Sequence, residues 1–330
     1  DVDVIPKPLL EKQAALFTDD VRRLLLYKEK LPRAVFIDYL RILCGLHLAL
    51  YTMKVVYLLP KMVDAGARNV IDDWSMVVDL TDNLDSIVSQ YACKDIERME
   101  NSYGKYIRAT YMVDIIQKRK RCDVDEAFRI LKEDNNKQGE YYEKELNDIE
   151  DSLPNSDEKE FDKNDFHEIL EFFPEKDYFD MFVHVLEKSN LGASQYKYIH
   201  EFVDAVCMKN SSSMLLADSR SKRHPRRGAL GSKLLETLVQ LLVLKERANG
   251  GYETRSLSID ELASAIRERY GLIINGIGEE RFADADVEMN AAFRVNMDAF
   301  KNKLRQIGFY TDMSDACILQ KIRPRYKLED

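Results

Sequence analysis

Five histidines (47, 167, 184, 200 and 224) and five cysteines (44, 93, 122, 207 and 317) hold most of the ligand and nucleophile chemistry the chain can offer. Neither set has the spacing that such chemistry requires. There is no Cys-x-x-Cys pair and no His-Glu-x-x-His run, so no zinc site is encoded in a readable form. An odd number of scattered cysteines also argues against a disulfide framework and for a reducing cytoplasm. His47 lies in an apolar stretch, where a hydrogen-bonded core histidine is the simpler reading. Cys44 and Cys93 have no paired histidine and read as structural thiols.

The remaining catalytic option is a carboxylate site. A metal-dependent nuclease gathers two or three carboxylates, usually with a lysine, around Mg²⁺. Asp79 with Asp82, or Glu143-Lys144-Glu145, offers the residue types, but such patterns recur throughout an acidic chain. No Gly-x-x-x-x-Gly-Lys-Ser/Thr loop exists, and Gly276-Ile277-Gly278 is too short for a dinucleotide fingerprint. No catalytic motif is present, no cofactor is expected, and Trp74 reads as a packing anchor.

Charge is the better guide. The net charge of −9 hides an asymmetry: residues 123–180 hold 21 Asp/Glu against 7 Lys/Arg, whereas residues 220–330 hold 20 Lys/Arg against 16 Asp/Glu. The C-terminal third is therefore the one basic part of an acidic protein, the place to expect a phosphate-facing surface. Candidate nucleic-acid contacts fall in three groups there: Lys222, Arg223, Arg226 and Arg227 in a basic arm; Lys301, Lys303 and Arg305 on a helix; Lys321, Arg323 and Arg325 after it. Asp284, Asp286, Glu288 and Asp298 dilute the same region, and cations on a helix face are often merely solvated.

The elements that must position these cations follow from periodicity and punctuation. Lys233–Lys245 is an apolar helix pattern. Ser258-Ile259-Asp260-Glu261 is a capping box opening a second helix, and Gly271 closes it. Ala285–Ile307 carries Phe293, Met297, Phe300 and Leu304 at helical spacing, and Gly308 stops it. Phe309–Met313 and Cys317–Ile322 then form a hairpin pattern. Three helices followed by a hairpin is the order of a winged helix, with the third helix facing the groove.

Upstream, Glu11–Lys28 reads as a helix and Arg33–Leu59 as a long buried one limited by Pro60. The latter's longest run without Asp, Glu, Lys or Arg is Ile42–Met53, short of the roughly 20 residues a membrane span needs. No signal peptide is legible at the N-terminus, and no membrane segment is expected. Trp74–Leu80 fits a short strand or a helix equally well. Asp123 and Glu126 form a cap-like pair, residues 133–165 read as an exposed acidic insert, and Tyr198–Met208 as a further helix. The fold class is thus mainly α: a helical scaffold at 1–210 with the insert at 133–165, a basic linker at 211–227, and a winged-helix-like domain with a short β-hairpin at 228–330.

Within that last domain, Arg269-Tyr270-Gly271 with Leu272-Ile273-Ile274, a polar helix, and Ser314-Asp315-Ala316-Cys317-Ile318-Leu319-Gln320-Lys321 resemble the tail of the DptG-type subunits. These are accessory proteins of bacterial phosphorothioation-dependent restriction, a form of phage defence. The resemblance covers roughly the last 70 residues. It lacks the longer glycine-containing signature of that family after Ser-Asp. It implies a non-catalytic component beside a separate ATPase, helicase or nuclease. The expected function is a cytoplasmic accessory subunit that contacts DNA or protein partners. A stand-alone winged-helix transcriptional regulator and a metal-dependent nuclease with a dispersed carboxylate site are the alternatives.

Overall fold

A computed structural model describes residues 7–133, 139–155, 161–173, 177–218, 225–248, 250–310 and 321–328. In chain order the elements are α1 (Glu11–Leu25), α2 (Arg33–Ala65), β1 (Met76–Val77), α3 (Ile87–Asn101), α4 (Tyr103–Lys120), α5 (Val124–Glu133), α6 (Gly139–Ser152), α7 (Lys163–Glu171), α8 (Tyr178–Lys188), α9 (Asn190–Val206), β2 (Leu216–Ala217), β3 (Arg227–Gly228), α10 (Ser232–Leu242), β4 (Leu244–Glu246), β5 (Tyr252–Thr254), α11 (Ile259–Tyr270), β6 (Leu272–Ile273) and α12 (Val287–Gln306). The protein is mainly helical, and its strands are short and paired in twos.

Residues group into two compact units. The first takes Asp1–Met53, Asp73–Arg98 and Val203–Asp330; the second takes Lys54–Asp72 and Met99–Phe202. This grouping follows a different line from a single cut at 210–228, because N-terminal segments share a core with the C-terminal elements. Leu24, Tyr27, Tyr39 and Leu43 are buried with Leu241 and Leu244 in one cluster of the first unit. Val77, Val88 and Ala92 are buried with Ile273, Phe282, Met289 and Phe293 in another.

Trp74–Leu80, ambiguous by periodicity, includes a strand. β1 runs parallel to β6, with Met76 opposite Leu272 and Val77 opposite Ile273. Further along, the Asp79 N–H donates to the Gly228 carbonyl at 2.9 Å. The helix α12 is fixed to this strand pair by Asn296, whose side chain is fully buried. Its amide donates to the carbonyls of Val78 (3.0 Å) and Ile274 (2.8 Å), and its Oδ1 accepts from the Leu80 N–H at 2.9 Å. Phe293, Phe300 and Leu304 flank it on the same buried face.

Two expectations need correction. Pro60 does not limit α2, which continues to Ala65. Proline removes one backbone donor, but Leu58, Leu59, Met62 and Val63 are all buried around it, and that packing outweighs one missing bond. The helix ends where Gly66 adopts φ +69°, a conformation that glycine reaches without steric cost. α2 is long and apolar enough to cross a membrane by length and composition, yet 61% of its most apolar window is buried within the protein.

The acidic 133–165 stretch is also not simply a connection. It contains α6, with Tyr142 and Leu146 buried one turn apart, and the start of α7, where Asp162 and Asp165 form a capping box. In α6 the acidic side chains are half-buried or exposed, beside the buried Tyr142 and Leu146. In the second unit these helices share a core of Leu146, Phe166, Met181 and Val185.

Other expectations are met in detail. Ser258 and Glu261 make the reciprocal capping box of α11, and Gly271 closes it at φ +76°. Gly271 also leaves room for the Trp74 ring, which a Cβ there would approach to 3.0 Å.

Asn296→Ala removes the partners of one buried N–H and two carbonyls. It is expected to lower unfolding free energy by on the order of 3 kcal/mol in urea denaturation. The exposed Gln306→Ala should stay within about 0.5 kcal/mol of the parent.

Candidate functional site

The cations singled out in the sequence do not share one environment. Lys222 and Arg223 lie outside the described residues, as do residues 311–320, which hold most of the expected hairpin. Arg226 pairs with Asp204. Arg227, on β3, is buried, with Nε 3.0 Å from Asp79 Oδ2 and Nη2 3.3 Å from Asp82 Oδ1. Lys303 points inward and donates to the Leu230 carbonyl. Burial holds its ammonium below the usual lysine range, with Asp82 and Asp79 opposing that shift.

The other cations gather at the C-terminal end of α12. The Lys301 ammonium lies 5.3 Å from the centroid of the buried Tyr310 ring, and the Arg305 guanidinium 5.7 Å from it. Arg305 also donates to Asn302 Oδ1 at 2.6 Å. Arg325 donates to Glu236 Oε1 and to the Ile307 carbonyl, both at 2.6 Å, and covers the Phe309 ring at 5.2 Å. Lys321, Arg323 and Arg325 are exposed. The charged heads of Lys301 and Arg305 thus lie by the buried Tyr310 ring, and that of Arg325 by the buried Phe309 ring, a rim of three cations.

The backbone orders this rim. The Ile322 N–H donates to the Leu257 carbonyl at 2.7 Å, and the Arg323 N–H to the Phe309 carbonyl at 2.8 Å. Residues 322–323 therefore bridge the segment before α11 and the segment after α12. Between α11 and α12 the chain forms β6 and a 3-10 turn at Glu280–Phe282, longer than the three or four residues of a simple helix-turn-helix.

Two buried charge networks were not legible in the sequence. Asp20 on α1 accepts from His47 Nε2 (2.8 Å), Tyr270 Oη (2.8 Å) and Arg269 Nε (3.0 Å). Gln13 donates to the other imidazole nitrogen at 3.2 Å, so His47 is a fully bonded core histidine, as its setting suggests. Burial pushes the Tyr270 hydroxyl well above its ordinary range, keeping it protonated as a donor. Asp95 on α3 accepts from the Val77 N–H at 2.8 Å and from Arg281. The acidic partners lie between 18 and 250 positions away in sequence, which is why no local pattern marks them.

The carboxylate alternative is changed by the same geometry. Asp79 has no exposed side-chain surface, and its second oxygen accepts from the Thr81 N–H and hydroxyl at 2.9 and 2.7 Å. Among the described residues, no group of three or more His, Cys, Asp or Glu side chains is arranged to hold a metal ion.

The chain is mainly helical, with several buried acids paired to arginines, and comparison places it in a defence system. The family model described as methylation-associated defense system protein MAD7 matches residues 3–326, and the chain belongs to that family. No curated protein and no solved structure gave a match.

The buried ion pair provides a direct check. Asp79→Ala leaves the buried Arg227 with only its longer contact to the exposed Asp82 and should destabilise the protein by about 3 kcal/mol. Adding Arg227→Met to Asp79→Leu should recover most of that loss in thermal unfolding, a result that a metal-ligand role for Asp79 does not predict.

Proposed function

We propose that the chain is a non-catalytic accessory subunit of a multi-protein DNA-processing complex in antiviral defence, working in the cytoplasm. Its C-terminal elements act as a winged helix that contacts DNA or partner subunits. The observation that carries this reading is the bonding of residues 322–323 to Leu257 on one side and Phe309 on the other. In a winged helix, the strand after the first helix, the last strand and the strand after the third helix lie side by side in that order. α10, α11 and α12 supply three helices in the matching sequence positions.

The functional part of the reading rests on the cationic rim and on family membership. A defence-system protein without a legible catalytic motif is well suited to bringing a separate ATPase, helicase or nuclease to DNA. The resemblance to DptG-type subunits points the same way, through a different defence system.

Lys301, Arg305 and Lys321 are the phosphate contacts in this reading, whereas Lys303 holds the Leu230 carbonyl. Each phosphate contact adds about 0.9 to the slope of log affinity against log salt concentration. Replacing Lys301, Arg305 and Lys321 together by Gln should weaken binding to duplex DNA and lower that slope by up to about 3. Lys303→Met should leave the slope unchanged. An unaltered slope in the triple variant would remove these residues from the DNA contact.

A further inference from the structure

The corner between α1 and α2, in the first unit, exposes apolar side chains among cations that have no partner. Tyr51 Oη accepts from the Leu10 N–H at 3.4 Å, and His47 bonds both Gln13 and Asp20. The two helices therefore run antiparallel, and the end of α1 lies by the start of α2. Leu24, Tyr27, Tyr39 and Leu43 are buried in the core at this end. Their neighbours are not: Leu25 is 50% exposed, Leu26 40% and Ile37 53%. Leu25 and Leu26 stand three and four positions after the exposed Arg22, on the outward face of α1. Ile37 stands four positions after the exposed Arg33, on the outward face of α2.

The charge of this corner has one sign. Arg22, Lys28, Lys30 and Arg33 are exposed, and among the described residues none of them is held in an ion pair or hydrogen bond. Glu29 is the exposed acid among them, which leaves a local balance of +3. The acids on either side do not neutralise it. Asp19 is engaged by Arg23 and Arg269, and Asp38 by Arg41 and Lys233. Helix polarity accounts for Lys28 and Lys30, which follow the C-terminal end of α1. It does not account for Arg33, which opens α2 at the end where a cation is disfavoured, or for the three apolar side chains.

We infer that Leu25, Leu26 and Ile37, with Lys28, Lys30 and Arg33, dock an acidic amphipathic helix of a partner protein. Such a helix covers the apolar side chains with its own apolar stripe and sets its carboxylates against the cations. Phosphate contacts use the cations alone and leave the apolar side chains in water, so duplex DNA fits this corner less well. An anionic lipid surface repels Glu29, and the corner lacks the exposed tryptophan or tyrosine that anchors at such a surface. The site lies on α1 and α2, and its occupant is independent of any DNA contact made by Lys301, Arg305 and Lys321.

Site-directed photo-cross-linking tests this. The full chain carries p-benzoylphenylalanine in place of Leu26, is irradiated in its native host, and the cross-linked segment is sequenced. The expected product is a protein adduct whose cross-linked segment is net acidic, with apolar residues at helical spacing. Lys28→Glu, Lys30→Glu and Arg33→Glu together should lower the yield at least 10-fold while circular dichroism stays unchanged, and Leu25→Ser alone should lower it about 3-fold. Replacing Lys301, Arg305 and Lys321 by Gln should leave the yield as it is, so loss of the DNA reading and loss of this one give different results. A chain that forms no protein adduct overturns the proposal. So does an adduct to nucleic acid or lipid, a cross-linked segment that is neutral or basic, or a yield indifferent to charge reversal.

Discussion

The first unit depends on one buried amide. Asn296 joins the backbone of Val78 and Leu80 to that of Ile274, and so holds α12 against a parallel strand pair drawn from opposite ends of the sequence. A two-residue parallel ladder is weak by itself, and parallel pairing closes only after a long connection has been ordered. The side-chain amide adds bonds at the place where the ladder ends. With α12 fixed in this way, Lys301 and Arg305 lie beside Tyr310.

A few charges of this protein are used inside. Asp20, Asp79 and Asp95 are buried acceptors, matched by Arg269, Arg227 and Arg281 from elements far along the chain. Buried pairs of this kind are poor evidence for stability, since desolvation offsets much of the attraction. Their cost when broken is large, and they specify which segments meet. The same matching explains why a count of cations in the C-terminal third overstates its positive surface: Arg226, Arg227 and Lys303 are turned to internal partners.

Local signals in the sequence were read well. The capping box at Ser258, the stops at Gly271 and Gly308, and the extents of α11 and α12 follow from residues within a few positions of each other. α10, by contrast, ends at Leu242, short of the expected Lys245, which lies in β4. Features set by distant contacts were hidden. Trp74–Leu80 was too short for periodicity to decide, and its strand identity comes from β6, almost 200 positions later. Asn296 interrupts an otherwise apolar stripe, and a polar residue at a core position is the one clue that could have marked it. The continuation of α2 through Pro60 and the helix within the acidic stretch show tertiary burial overriding local composition.

The chain is mainly helical and belongs to a defence-system family, and in the proposed function its C-terminal elements present a surface to others. That surface, rather than a catalytic centre, is the core of the account. Purification of the tagged chain from its native host, with and without nuclease treatment, tests it most directly. The account predicts that a separate ATPase, helicase or nuclease accompanies the chain and that the purified chain alone does not cut DNA. A chain that comes alone and cleaves DNA in the presence of Mg²⁺ would contradict it.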